Sequence, residues 1–173
     1  MIRAIVFDLD GTLIPRGAVW LRCLEGFLLD HRDAAEDVPV ATFHVLASQI
    51  VAQPDIDRRD VARILALSYP GLGMTQAQVL ADLDQRLPRC IVPDPAVQRL
   101  LAGLADRYTT AILTNGSSRM QRAKLQSAGL VGAAGRVFIS GDLGVRKPDP
   151  RSFEAVTRWA GVEPGEALMV GDD

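Results

Sequence analysis

The strongest constraint on the fold is an alternation of short apolar runs with helical patterns. Four runs rich in β-branched or aliphatic residues occur, at residues 2–7, 109–113, 137–140 and 167–170. Helical patterns follow the capping pairs Asp94-Pro95 and Asp149-Pro150 and the polar residue Ser117. The first of these helices has a predicted apolar face of Val97, Leu100, Leu101 and Leu104. Strands that alternate with helices at this spacing are typical of an α/β fold, in which helices cover both faces of a parallel sheet. We therefore predict a parallel sheet core.

A long helical block interrupts this pattern after the first strand. Between residues 17 and 87 the apolar residues recur only at helical spacing, as in the groups Trp20, Leu21, Leu24, Phe27, Leu28; Val45, Leu46, Ile50; and Val61, Ile64, Leu65, Leu67. We predict an α/β core formed by residues 1–16 and 88–173, with residues 17–87 as an inserted all-helical unit.

Charge and composition exclude several classes of function. The 19 Lys and Arg residues are balanced by 21 Asp and Glu residues, and aromatic residues make up only 5%, so we expect no nucleic-acid partner. No run of about 18 apolar residues is present, and acidic residues come too early for a signal peptide, so we expect no membrane partner. Cys23 and Cys90 are too few for a disulfide framework, which favours the cytoplasm.

Polar residues follow the predicted strands at their carboxyl ends. Asp8 and Asp10 follow the first strand, and Thr114 follows the second. Lys147 comes several residues after the third strand, and Asp172 and Asp173 follow the fourth. Parallel strands end at one edge of the sheet, where ligands bind. Asp8 and Asp10 repel each other unless one is protonated or a cation lies nearby. Oxygen ligands of this kind select a hard cation, and we predict Mg²⁺.

Taken alone, Asp-Leu-Asp-Gly-Thr at residues 8–12 is also compatible with an ordinary turn after a strand. The four strand ends together carry a more specific signal. Residues 8–13, 112–116, 141–150 and 169–173 resemble, in order and spacing, the four signature motifs of the haloacid dehalogenase-like (HAD) hydrolase superfamily. The resemblance implies a Rossmann-like core, and the helical block is similar to the helical cap of that family.

The resemblance implies a role for each motif residue. Asp8 would be the nucleophile that forms an aspartyl-phosphate, and Asp10 would protonate the leaving alcohol and then activate water. Thr114 would bind a phosphoryl oxygen, together with Asn115 and Gly116 of the same motif. Lys147 would stabilise the negative charge.

The implied Mg²⁺ ligands are Asp8, Asp10 (through its backbone carbonyl), Asp172 and, as an additional candidate, Asp173. Arg16, just after the first motif, is a candidate for contact with an anionic substrate. A plain surface arginine remains the alternative for that position.

Asp10 also separates activities within the family. Halide departs without a general acid, whereas an alkoxide needs a proton, so Asp10 favours a phosphatase or phosphomutase over a dehalogenase. We predict Mg²⁺-dependent hydrolysis of a phosphate monoester of a small metabolite, with the phosphomutase as an alternative. The sequence leaves the substrate and the oligomeric state open.

The resemblance also implies a further strand and helices of the core after Asp173. We therefore expect the sequence to be a fragment of a longer chain, with the strand at residues 167–170 exposing an edge. This expectation motivates a second alternative, a non-catalytic interaction protein on the same fold.

Overall fold

A computed structural model describes residues 1–31 and 58–172, together with residues 45, 48, 49 and 52. The chain divides into two compact units, Met1–Pro15 with Ile91–Asp173, and Arg16–Cys90. In chain order the elements are β1 (Ala4–Phe7), α1 (Arg16–Asp30), α2 (Arg58–Ser68), α3 (Gln76–Arg89), α4 (Pro95–Ala105), β2 (Thr109–Thr114), α5 (Ser118–Ser127), β3 (Arg136–Ile139), α6 (Ser140–Leu143), α7 (Pro150–Ala160) and β4 (Ala167–Val170). Two 3₁₀ turns lie at Pro70–Leu72 and Pro164–Glu166.

The first unit is built on a parallel sheet. Its four strands have the order β3-β2-β1-β4, and each neighbouring pair runs parallel. In this register Phe7 of β1 lies between Ile112 of β2 and Val170 of β4. The sheet confirms the predicted α/β fold. Within the described residues β4 has one hydrogen-bonded neighbour, β1, and is an edge strand.

The predicted capping residues start the helices of this unit. Asp94 accepts a hydrogen bond from the Ala96 N–H at 2.8 Å, and Asp149 accepts one from the Arg151 N–H at 3.0 Å. Ser117 caps α5 by accepting from the Met120 N–H at 3.4 Å. These side chains satisfy backbone donors that have no partner inside the helix. The cap at Ser117 starts α5 directly after β2, which aims the helix N-terminus at the edge where the strands end.

Part of the core of the first unit lies between the sheet and α7. A buried cluster contains residues from three strands and one helix, namely Val6, Ala111, Leu113, Phe138 and Val156. The ring of Trp159 meets Phe138 edge-on, with the ring centroids 5.7 Å apart. One predicted core position on α4 is wrong. Leu100 is 51% exposed, because the helix turns Leu101 inward instead.

We expect Leu113→Ala to lower the free energy of unfolding by about 2–5 kcal/mol, because Leu113 is 1% exposed and its removal leaves a cavity in the sheet core. The matched control is Leu168→Ala on β4, where the side chain is 46% exposed and a change within about 1 kcal/mol is expected. Urea unfolding of the full-length protein measures both. Equal losses would contradict the described packing.

The second unit contains α1, α2, α3 and the turn between the last two, and its described residues 45, 48, 49 and 52 are also helical. α1 buries Trp20, Leu24 and Phe27, as predicted from their spacing. α2 and α3 pack against each other through residues that include Leu65 and Leu83.

Two residues of the predicted apolar groups are exposed, Val45 at 56% and Leu67 at 75%, although both are helical. The predicted helical positions Leu46 and Ile50 lie outside the described residues. No helix in the described part of the chain is both long enough and apolar enough to cross a membrane.

Candidate active site

Three strands deliver polar side chains to one edge of the sheet. Asp8 follows β1, Thr114 is the last residue of β2, and Asp172 comes two residues after β4. The Asp8 N–H extends the pairing of β1 with β4 by donating to the Val170 carbonyl at 2.8 Å. The parallel register therefore brings the ends of β1, β2 and β4 level with one another.

Asp8 is a buried carboxylate paired with a buried ammonium. Its side chain is 8% exposed, and its Oδ2 lies 2.7 Å from Nζ of Lys147, whose side chain is 11% exposed. The Leu9 N–H donates to Oδ1 at 2.6 Å. Burial raises the pKa of Asp8, and the negative charge of Asp10 acts in the same direction. The bonds from Lys147 and Leu9 favour the ionised, nucleophilic form and oppose that rise without cancelling it.

The side chain of Asn115 holds Lys147 in place. Its Oδ1 accepts from the Lys147 N–H at 2.9 Å, and its Nδ2 donates to the Lys147 carbonyl at 3.1 Å. Both main-chain polar groups of Lys147 are therefore bound by one amide. This contact fixes the loop after α6, so that the ammonium reaches Asp8. The predicted contact of Asn115 with substrate concerns its backbone N–H and stays a prediction.

Asp10 is held by two side chains from α5. Lys124 Nζ lies 2.7 Å from each carboxylate oxygen of Asp10, and Gln121 Nε2 donates to Oδ2 at 2.9 Å. The same Nε2 donates to the Thr114 hydroxyl at 2.6 Å. The repulsion between Asp8 and Asp10 expected from the sequence is thus relieved by one lysine for each carboxylate.

Gly116 shapes the turn that connects β2 to α5. Its φ of +146° is a backbone conformation that L side chains rarely adopt, and a Cβ there would come within 2.9 Å of the Gln121 side chain. Its N–H donates to the Ser140 hydroxyl at 2.9 Å. In this arrangement Gly116 makes room for Gln121, and its own N–H is occupied by Ser140.

Asp172 lies against Gly11 in the loop after β1. The carboxylate of Asp172 occupies the space that a Cβ at position 11 would fill, and Gly11 has a φ of +87°. The side chain at position 172 is exposed. Because Gly11 has no side chain, the Asp172 carboxylate can approach the turn formed by residues 8–12.

The donor set fits a hard divalent cation. Among the described residues no group of three His, Cys, Asp or Glu side chains is arranged as a metal site. Mg²⁺, however, typically uses one or two carboxylates and fills its shell with water and substrate phosphate. Asp8 and Asp172 supply two carboxylates at neighbouring strand ends. The carboxylate of Asp10 is occupied by Lys124 and Gln121, so only its backbone carbonyl suits the implied role as a ligand.

Two predicted site residues do not belong to the described part of this unit. Asp173 lies outside the described residues. Arg16 is the first residue of α1 and belongs to the second compact unit. Both assignments stay predictions.

Sequence analysis did not identify Gln121 and Lys124. The signal that could have found them is their spacing. Residues three apart on a helix share a face, and α5 starts at the strand end that carries Thr114. A polar residue on the face that packs against the sheet indicates a partner there, and the partner is Asp10.

Comparison with known proteins agrees with this geometry. A model of the haloacid dehalogenase-like hydrolase family matches residues 2–173. The phosphoserine phosphatase of Thermus thermophilus is 40% identical over 109 residues, which cover 62% of this chain and 44% of that protein. The phosphoglycolate phosphatase of Rhodospirillum rubrum is 30% identical over 188 residues, covering 99% of this chain and 72% of that protein. The chain thus spans less than half of the first relative and about seven-tenths of the second.

Similarity extends to a dehalogenase and to solved structures. The (S)-2-haloacid dehalogenase of Xanthobacter autotrophicus is 36% identical over 200 residues, covering 100% of this chain and 68% of that enzyme. The HAD-hydrolase YfnB of Bacillus subtilis superposes with a TM-score of 0.69 at 20% identity, covering 99% of this chain and 78% of that one.

The chain belongs to the haloacid dehalogenase-like hydrolase family, since the family model matches nearly its full length. This match confirms the family inferred from the four strand-end motifs and places the chain in a class of hydrolytic enzymes. The parallel sheet and the solved HAD-hydrolase confirm the predicted core fold.

Proposed function

We propose that the protein is a Mg²⁺-dependent phosphatase that hydrolyses phosphate monoesters of small metabolites through Asp8. The observation that carries this proposal is the pair of carboxylate–lysine contacts at one strand end, Asp8 with Lys147 and Asp10 with Lys124. One carboxylate is buried beside a cation, as suits a nucleophile, and the other is partly exposed, as suits a group that exchanges protons with a ligand.

In the first half of the reaction, a carboxylate oxygen of Asp8 attacks phosphorus and the bond to the ester oxygen breaks. Asp10 gives its proton to the departing alkoxide, so that the alcohol leaves neutral. In the second half, Asp10 takes a proton from water while the water oxygen attacks phosphorus. Inorganic phosphate leaves, and the Asp8 carboxylate is restored. Lys147 and the Thr114 hydroxyl face the charge that the phosphoryl oxygens carry throughout.

The carboxylates of Asp8 and Asp172 and the backbone carbonyl of Asp10 would hold Mg²⁺. The ion, when bound, neutralises charge on the phosphoryl group and orients it for in-line displacement. Gly11 is essential to this arrangement, because a larger residue would displace the Asp172 carboxylate from the loop.

The relatives named above, phosphatases of phosphoserine and phosphoglycolate, support a small phosphorylated metabolite as the substrate class. Both names describe small phosphorylated acids, and Arg16 is the candidate for binding such a second anionic group. The helical insertion predicted at residues 17–87 would act as the cap of this enzyme. Action in the cytoplasm is part of this proposal, since two cysteines are too few for a disulfide framework.

Dehalogenation is the competing activity, because a haloacid dehalogenase is among the relatives. The presence of Asp10 as a general acid argues against dehalogenation, since a leaving halide requires no proton. A phosphomutase would use the same residues but protect its intermediate from water. A non-catalytic interaction protein would not require the buried pair of Asp8 and Lys147.

We expect the full-length protein to release phosphate from p-nitrophenyl phosphate with Mg²⁺ and to lose this activity in excess EDTA. A panel of phosphorylated acids, sugars and alcohols then ranks substrates by kcat/KM. Halide release from 2-chloropropionate tests the dehalogenase, and isomerised sugar phosphate without free phosphate tests the mutase. Activity on the haloacid alone, or no activity on any of these compounds, would contradict the proposal.

A further inference from the structure

The Asp10 carboxylate has an unusually complete set of contacts from one helix. Gln121 and Lys124 lie three residues apart on α5 and therefore share a face. Together they make three contacts with the two oxygens of Asp10, at 2.7, 2.7 and 2.9 Å. The Lys124 side chain is 15% exposed and that of Asp10 is 28% exposed, so solvent screens their attraction only in part. These contacts fix the direction of a carboxylate that would otherwise rotate.

Gln121 links this carboxylate to the hydroxyl of Thr114. Gln121 is 1% exposed, and burial of an amide is costly unless its polar atoms are bound. The Gln121 amide donates from its NH₂ group to Asp10, which in its ionised form only accepts hydrogen bonds. The same NH₂ group donates to Thr114 at 2.6 Å. Because the Thr114 oxygen accepts this bond, its own hydrogen remains available to a phosphoryl oxygen.

We propose that Lys124 and Gln121 are positioning residues for proton transfer. Lys124 orients Asp10 toward the leaving oxygen. Gln121 binds both Asp10 and Thr114 and so fixes the position of the proton donor relative to the phosphoryl site. Neither residue needs to touch the substrate. This inference rests on the phosphatase function proposed above, and it assigns two residues to Asp10 in addition to the four motifs.

The first test compares two leaving groups in the full-length protein. A dinitrophenolate leaves without a proton, whereas the alkoxide of a glycerol phosphate requires one. We expect Lys124→Met to lower kcat for the alkyl ester by about tenfold or more beyond its effect on the aryl ester, since general acid catalysis contributes about 10²–10⁴-fold. Lys124→Arg should restore most of the loss. Arg122→Met is the matched control, because Arg122 lies on the same helix and pairs with the partly exposed Asp142.

Equal losses on both esters would overturn the proposal, because a general loss of structure would slow both reactions alike. A double-mutant cycle adds a second criterion. If Lys124 acts through Asp10, then Lys124→Met causes no further loss in the Asp10→Asn background. Independent, multiplying losses would overturn the positioning role.

Binding of vanadate, a mimic of the phosphoryl group, separates the two residues. We expect Gln121→Leu to weaken vanadate inhibition about tenfold, since it frees Thr114, and Lys124→Met to leave it unchanged. Equal weakening by both variants would show that Lys124 binds the phosphoryl group itself, and the positioning role would then be wrong. A wild-type protein that hydrolyses neither ester would refute the phosphatase function, and this inference with it. An active wild type with the wrong variant pattern refutes this inference alone.

Discussion

Asp8→Asn is expected to abolish phosphate release, with kcat lower by at least about 10³-fold, as is typical when a covalent nucleophile is removed. Asparagine keeps the shape of the side chain, and its Oδ1 can still accept from the Leu9 N–H, which lies 2.6 Å from Oδ1 of Asp8. The amide, however, carries no charge and cannot form a stable bond to phosphorus. The variant should therefore bind substrate but fail to transfer the phosphoryl group.

The same substitution places an amide NH₂ group where Asp8 Oδ2 accepts from Lys147 at 2.7 Å. Two donors then face each other in a buried site, and some loss of stability is expected along with the loss of activity. Thermal unfolding distinguishes the two effects, since a folded but inactive variant identifies a chemical role.

The matched control for this variant is Asp142→Asn, which changes a carboxylate whose side chain is 40% exposed and which pairs with Arg122. We expect this control to keep wild-type kcat. A positive readout comes from acid quenching during turnover, which should leave a phosphoryl adduct on the peptide that contains Asp8. Retention of more than one-tenth of wild-type kcat by Asp8→Asn would exclude Asp8 as the nucleophile.

The sequence was most informative where local chemistry and topology act together. The runs ending in Phe7, Leu113 and Val170 are rich in β-branched or aliphatic residues, and each is followed by polar residues. In a parallel sheet such ends must lie at one edge, so the strand-end residues could be placed together without coordinates. The caps at Asp94, Ser117 and Asp149 were predictable for the same reason, since each depends only on near neighbours.

Contacts between side chains that are far apart in the sequence were harder to predict. Nothing local to Lys124 distinguishes it from a solvated lysine on an amphipathic helix, and its partner Asp10 lies more than a hundred positions away. The side chain of Asn115 presents the same difficulty. Its motif suggested a contact with substrate through the backbone N–H, whereas its amide binds the main chain of Lys147. For Leu100 and Leu67, helical spacing predicted a place on the apolar face of a helix, whereas both side chains are more than half exposed.

Lys147→Met is expected to have the second largest effect, through the charge of Asp8. Both side chains of the Asp8–Lys147 pair are about nine-tenths buried, and the oxygen and nitrogen are 2.7 Å apart. Methionine fills a similar volume but leaves the carboxylate without a cation. Burial already raises the pKa of Asp8, and Lys147 opposes that rise. In the metal-free protein, loss of the ammonium should therefore raise the pKa further, so that more of Asp8 is protonated at a given pH.

The pH dependence of the unfolding free energy follows from the same rise in the pKa of Asp8. A carboxyl group whose pKa is higher in the folded than in the unfolded chain stabilises the fold below the unfolded value, and this contribution is lost as pH rises through the folded value. The Lys147→Met variant should thus resemble the wild type most closely in acid and lose about 3 kcal/mol of unfolding free energy near neutral pH. Activity should fall by about 10²–10³-fold, as expected when a donor facing the transition-state charge is removed.

Two measurements check the prediction for Lys147. Carbon-detected NMR of the Asp8 carboxyl in EDTA gives its pKa in the wild type and the variant, and urea unfolding at several pH values gives the stability difference. Arg151→Met is the matched control, because Arg151 pairs with Asp149 at 2.6 Å but its side chain is 69% exposed, so water replaces the lost contact and little change is expected. An unchanged Asp8 pKa in Lys147→Met would mean that Lys147 does not balance the nucleophile's charge, and the electrostatic basis of the proposed site would then be wrong.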